Sequence, residues 1–123
     1  MMNLQQNIQF SVVIPLYNKL DHIIRTIDSV LAQTYDNLEV VIVDDGSTDG
    51  SPNLVSQLRG DRVRLVRQLN AGVSCARNRG VQEAKGDIIA FIDADDTWEP
   101  HYLEEVNELH VRFPKAEAFG TAY

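Results

Sequence analysis

A chain of 123 residues is long enough for one domain and too short for two ordinary ones. At 44% hydrophobic and 24% charged it has the make-up of a globular domain with a real core, which excludes disordered and fibrous classes. A formal net charge of −7 excludes nonspecific binding to nucleic acid or to an anionic membrane, since both need a basic surface.

Residues 1–9 are polar, lack the basic-then-apolar order of a secretion signal, and read as an extension ahead of a single domain at 10–123. Four β-branched, apolar runs then recur: Phe10–Leu16, Leu38–Val43, Arg62–Val66 and Asp87–Ile92. The second and fourth are almost continuously apolar, the pattern of strands covered on both faces. Between the first two, Leu20, Ile23, Ile24, Ile27, Val30 and Leu31 follow a helical period and predict a helix of about 14 residues with one apolar stripe. Leu54, Val55 and Leu58 predict a shorter helix. Val73, Ala76, Gly80, Val81 and Ala84 predict one with a small-residue stripe, within which Cys75 reads as a small buried apolar residue. As the one cysteine, it excludes an intramolecular disulfide. Pro100 suits the first turn of a fourth helix carrying Tyr102, Leu103, Val106, Leu109, Val111 and Phe113, and Ala116–Tyr123 reads as a fifth strand. No apolar run approaches the ~20 residues that span a bilayer. Strands and helices in alternation predict an α/β fold with a mostly parallel sheet and right-handed crossovers.

Open parallel sheets bind ligands beyond the carboxyl ends of their strands, and here those ends are unusually polar. The first strand runs into Tyr17 and Asn18, the second into Asp44-Asp45-Gly46-Ser47-Thr48-Asp49, and the fourth into Asp93-Ala94-Asp95-Asp96. In extended backbone the side chains of Asp93 and Asp95 share one side. Two such carboxylates repel unless a cation intervenes, and hard oxygen donors beside a diphosphate suit Mg²⁺ or Mn²⁺. An ordinary solvated acidic turn is the alternative. One of Asp44 and Asp45 can face the crevice, toward an imide N–H or a ribose hydroxyl, while the other secures the turn that Gly46 permits. Ser47, Thr48 or Asp49 can cap the next helix. Tyr17 offers a flat face to a base. The loop from Asn70 to Ser74 opens a helix whose amides attract anions, with Arg77 able to add charge; Arg77 and Arg79 could equally pair with surface acids. His22, His101 and His110 have no metal-ligand spacing, and Trp98 and Pro100 should shape the turn after the acids.

Taken in order, Ser11-Val12-Val13-Ile14-Pro15-Leu16-Tyr17-Asn18, Gln33-Thr34-Tyr35, Val43-Asp44-Asp45-Gly46-Ser47-Thr48-Asp49, Asn70-Ala71-Gly72, Ala76-Arg77-Asn78 and Asp93-Ala94-Asp95-Asp96 resemble glycosyltransferase family 2 over residues 10–123. The resemblance implies the GT-A fold, a Rossmann-like and mostly parallel sheet with helices on both faces. It implies an inverting transferase using a nucleotide-sugar, with a UDP-sugar favoured over GDP or TDP, and a glycan, lipid or other acceptor. Pro15, Leu16 and Tyr17 would line the base pocket and Asp45 would read the base. Asp93, with Ala94 beside it, would lie near the ribose, and Asp95, with Asp93, would hold the Mg²⁺ or Mn²⁺ that bridges the diphosphate. Gly72 and Arg77 belong to matching motifs. The family's catalytic base lies well downstream of its Asp-x-Asp segment, so none is carried over, and the chain reads as the donor-binding part of a longer enzyme. Nucleotide-sugars are cytosolic, which implies cytoplasmic placement, with contact to a membrane face only through further sequence. A receiver-type signalling domain would need its acidic pair after the first strand, and a dehydrogenase a Gly-x-Gly-x-x-Gly there. This chain has neither. A noncatalytic nucleotide-sugar-binding module fits the same residues.

Overall fold

The computed structural model describes residues 8–58 and 60–113. Four parallel strands form one sheet in the order β3-β2-β1-β4: β1 (Phe10–Leu16), β2 (Leu38–Asp45), β3 (Val63–Gln68) and β4 (Ile88–Phe91). Helices α1 (Ile23–Leu31), α2 (Ser51–Ser56), α3 (Val73–Glu83) and α4 (Tyr102–Arg112) alternate with them. The expected fifth strand at Ala116–Tyr123 lies outside the described residues.

Alternation along β1 and β2 sorts the core into two layers. Phe10, Val12, Ile14 and Leu16 face the same side as Val40 and Ile42, where they pack with Ile23, Ile27 and Val30 of α1, Val55 of α2, and Leu103 and Val106 of α4. Val13, Val41 and Val43 point the other way, onto Ala76 of α3. Helices therefore cover both faces, three on one side and α3 on the other.

β1 and β2 are the doubly covered strands: every residue but Pro15 of β1 and Glu39 of β2 is buried. β4 corrects the sequence reading. It borders the described sheet, its residues are only partly buried, and Phe91 is 41% exposed. An apolar run reports the absence of polar partners, not the presence of a neighbour. The small-residue stripe of α3 is also narrower than periodicity suggests. Ala76 and Gly80 are buried, whereas Val73, Val81 and Cys75 are exposed. Cys75 lies about 100° around the helix from Ala76, off the packed face.

α1 starts later than expected because its entry is a turn. The N–H groups of His22 and Ile23 donate to the Lys19 carbonyl at 3.0 and 2.9 Å, and Leu20 N–H is taken by Asp49 Oδ2 at 2.9 Å. At the opposite end of the sheet, Glu39 accepts hydrogen bonds from Ser11 Oγ at 2.6 Å, Lys85 N–H at 2.6 Å and Arg64 Nη2 at 3.2 Å. Burial pushes its pKa up, but those hydrogen bonds outweigh burial and hold it below the usual glutamate value.

The close approach of α3 to the sheet depends on Gly80, where an added Cβ would come 2.2 Å from Val13 Cγ1. Gly80→Ala should therefore destabilise the fold despite its better helix propensity. We expect a loss of about 1–3 kcal/mol from overpacking, and a melting temperature lower by several degrees. Urea and thermal denaturation measure both, and a variant as stable as the parent would show that α3 rides farther from Val13.

Candidate functional site

The strand order reverses between β1 and β4, since β2 and β3 continue on one side of β1 and β4 lies on the other. A crevice at such a switch point is the usual ligand position in an open parallel sheet, and a pocket of about 560 Å³ lies there. That volume suits a small-molecule ligand. Its walls come from the ends of three strands and one helix: Pro15, Leu16, Tyr17 and Lys19 after β1, Asp45 at the end of β2, and Asp93, Ala94 and Asp95 after β4. Asn70, Gly72, Val73, Ala76 and Arg77 complete it from the β3–α3 loop and α3. All the residues singled out from sequence as nucleotide-sugar ligands line this one cavity.

Their local settings differ. Leu16 is buried in the core, while Tyr17, also in the pocket lining, is 48% exposed. Asp44 and Asp45 are both 4% exposed. Asp44 Oδ1 accepts the Ser47 N–H at 3.4 Å and steadies the turn, in which Gly46 adopts φ +80° and sits against Asn70. Asp45 is more heavily engaged. Its Oδ1 accepts Gln68 Nε2 at 2.9 Å and Ala71 N–H at 2.8 Å; its Oδ2 accepts Gly72 N–H at 3.0 Å and Asn70 Nδ2 at 3.3 Å. Burial raises the Asp45 pKa, but the bonds from Gln68, Ala71 and Gly72 outweigh burial and hold it below the usual aspartate value. The four donors match the acceptor capacity of a carboxylate. This residue therefore fastens the entrance of α3 to the end of β2.

The acidic segment after β4 is a turn and not extended backbone. Asp96 N–H donates to the Asp93 carbonyl at 3.0 Å, and this turn brings in a third acid. One carboxylate oxygen from each of Asp93, Asp95 and Asp96 lies within 4.8 Å of the others. Asp93 and Asp95 are exposed, leaving room for water or phosphate oxygens, so this set of hard donors fits Mg²⁺ or Mn²⁺. Two cations already face it: Arg77 Nη2 is 3.2 Å from Asp93 Oδ1, and Lys19 Nζ is 3.3 Å from Asp95 Oδ2. Arg79, by contrast, pairs with Glu83 on its own helix.

Sequence reasoning quoted Gln33 in a motif but missed how this turn and the segment after it are held. Thr26 of α1 is fully buried, and its hydroxyl lies 2.9 Å from the Ala94 carbonyl and 2.6 Å from that of Asp96. Three residues on, Ser29 Oγ accepts Trp98 N–H at 3.2 Å. Gln33 donates through Nε2 to the Glu99 carbonyl at 2.6 Å and accepts Leu103 N–H at 2.9 Å. The signals were a polar residue, Thr26, inside the stripe of Ile23, Ile27 and Val30, and Gln33 in the motif Gln33-Thr34-Tyr35. Pro100 precedes α4 and does not sit in its first turn, and Trp98 is buried and stacked on Tyr102 at 4.6 Å. Asp49 accepts Ser51 N–H at the start of α2 and so acts as its cap, although Gly50 occupies the formal cap position.

A parallel sheet of this order, with its acids at the switch point, has the GT-A architecture, as the solved structures it resembles bear out. S. aureus TarS in complex with UDP-GlcNAc superposes with a TM-score of 0.80 at 28% identity, over 86% of this chain and 32% of that one. The mannosyltransferase PcManGT from Pyrobaculum calidifontis, in complex with GDP-Man and Mn²⁺, gives 0.71 at 33% identity, over 81% and 31%. The chain belongs to glycosyl transferase family 2, whose profile matches residues 11–123. An uncharacterized glycosyltransferase of Nostoc sp. is 44% identical over 104 residues, 82% of this chain and 32% of the relative. Glycosyltransferase GlyA of Streptococcus pneumoniae is 35% identical over 117 residues, 94% of this chain and 17% of the relative. The chain thus spans a third or less of these proteins. No helix among its described residues is long and apolar enough to cross a membrane.

Asp45 supplies a test of the pocket wall. A carboxylate whose pKa is lower folded than unfolded stabilises the fold fully above its unfolded value, near pH 4, and loses that stabilisation as pH falls through the folded value. Asp45→Asn turns an acceptor into a donor facing N–H groups, so it should cost roughly 1.5–3 kcal/mol at neutral pH. It should also flatten the decline of stability on acidification, with Glu39, Asp49 and Glu104, all lowered as well, carrying what remains. Urea titrations at several pH values measure both effects, and an unaltered acid profile would refute the assignment.

Proposed function

We propose that this chain is the donor-binding part of an inverting glycosyltransferase that moves a sugar from a nucleoside diphosphate to an acceptor hydroxyl. The observation that carries this reading is one pocket in which an exposed tyrosine ring, a cluster of carboxylates and two cations meet at the switch point of a GT-A sheet. The complexes of TarS with UDP-GlcNAc and of PcManGT with GDP-Man support a nucleotide-sugar as the ligand class. A UDP-sugar is favoured, in line with TarS, the neighbour of higher TM-score; GDP is the alternative.

In this reading Pro15, Leu16 and Tyr17 form the base wall, and stacking on the Tyr17 ring supplies sequence-tolerant affinity. Asp45 shapes the facing wall through the Asn70–Gly72 loop. A direct bond from an imide N–H to Asp45 requires one of its donors to yield; the Ala71 and Gly72 donors are backbone and Asn70 Nδ2 also donates to the Asp45 carbonyl, which leaves the Gln68 side chain the readiest to rotate away. The first amides of α3 face the diphosphate beside Gly72, whose own N–H is held by Asp45, and Arg77 adds positive charge. Asp93 lies toward the ribose beside Ala94. Asp95, with Asp93, would hold Mg²⁺ or Mn²⁺, which when bound would supply Lewis acidity toward a departing nucleoside diphosphate. Attack by the acceptor from the opposite face of the sugar inverts the anomeric carbon. The acceptor and its general base belong to no residue assigned above.

UDP should stabilise the chain in Mn²⁺ by about 2.7 kcal/mol at 100 times Kd, a melting shift of several degrees. Equal shifts in Mn²⁺ and in EDTA would exclude metal-assisted binding. Asp95→Asn should remove the Mn²⁺ dependence and weaken UDP by roughly tenfold or more, as isothermal titration reads directly; undiminished affinity would make Asp95 an ordinary loop residue.

A further inference from the structure

We propose that Lys19 is the resident counter-ion of Asp95 in the metal-free site, and that its ammonium turns to the donor diphosphate when a divalent cation takes the carboxylate. The inference rests on the donor-binding reading above and gives a role to a residue that reading counts only as a nearby charge. Lys19 Nζ stands 3.3 Å from Asp95 Oδ2, both side chains are roughly two-fifths exposed, and both line the pocket.

The backbone beneath Lys19 is pinned on both sides. Asn18, at φ +51°, donates its N–H to Ser47 Oγ at 2.9 Å and accepts Thr48 N–H through Oδ1 at 2.7 Å. Leu20 N–H is held by Asp49 at 2.9 Å, and the Lys19 carbonyl receives the first turn of α1. The main chain is therefore fixed, while the side chain is a flexible stem with a compact charge and three rotatable donors. Such a group changes partners without moving the fold.

Charge decides which partner it takes. Asp93, Asp95 and Asp96 carry three negative charges against the two positive charges of Lys19 and Arg77. The metal-free cluster is net negative and repels a diphosphate. A divalent cation reverses that sign, and it competes with the ammonium for Asp95. Once displaced, Lys19 meets incoming phosphate oxygens, for which a lysine ammonium is a suitable point-charge partner. An exposed ion pair of this kind is worth little by itself, so Lys19 delays the metal without excluding it.

The test titrates Mn²⁺ alone, followed by electron paramagnetic resonance of the free ion, into the wild-type chain, Lys19→Met and Lys19→Arg. Without Lys19, Mn²⁺ should bind roughly three- to tenfold tighter, while Lys19→Arg should stay near wild type. In saturating Mn²⁺, Lys19→Met should then lose roughly five- to tenfold in affinity for UDP and keep its affinity for UMP, which lacks the second phosphate. Equal Mn²⁺ affinities in wild type and Lys19→Met would overturn Lys19 as the competitor. An unchanged preference for UDP over UMP would overturn its transfer to the diphosphate. Mn²⁺ binding to none of the three proteins would instead sink the metal reading beneath the proposal, which keeps the two failures apart.

Discussion

A carboxylate taken out of water must have its acceptor capacity filled, and Asp45 meets that requirement with N–H groups drawn from the end of β3 and the loop that enters α3. The rest of the site depends on this. The loop gives α3 its starting point, the start of α3 places Arg77, and Arg77 faces Asp93. One side of the pocket is thus suspended from a single buried anion at the end of β2. The other side hangs from Thr26 of α1, whose buried hydroxyl holds the backbone of the acidic turn, and from Gln33 just beyond α1, which holds Glu99 and Leu103 after it. Polar groups inside the core therefore set the positions of the exposed ones that line the pocket.

Much of the fold was legible because strands β1, β2 and β3 and the stripe of α1 express simple periodicities. β1 matched its expected bounds, and β2 ran on into the acids that end it. Legibility failed where a pattern had two physical causes. The apolar run of β4 resembles that of β2, yet only β2 has a described strand on each side. Cys75 and Ala76 are both small, and only the register of α3 against Val13 decides which of them is buried.

The candidate site was legible as a set of residues and much less so as a set of contacts. Strand ends named the pocket lining, because topology alone brings those ends together. The approach of Asp93 and Asp95 was expected from extended backbone, but a turn produces it, and that difference adds Asp96. Lys19 and Asp95 are far apart in the chain, as are Thr26 and Ala94, and no local period encodes such pairings. Asp45 was read as an open acceptor because its own hydrogen-bond partners come from a distant loop.

The contact between Gly80 and Val13 reaches beyond packing. Arg77 sits one turn before Gly80, so the height of α3 above the sheet also sets how far the guanidinium extends over the pocket. Helix-to-sheet spacing is thereby coupled to the electrostatic potential of the cavity. A search for variants with altered ligand affinity would recover changes on the buried side of α3 alongside changes to the acids themselves. Those variants would touch no ligand, and their signature would be a weakened salt dependence of binding, because the displaced charge is the one that acts over distance.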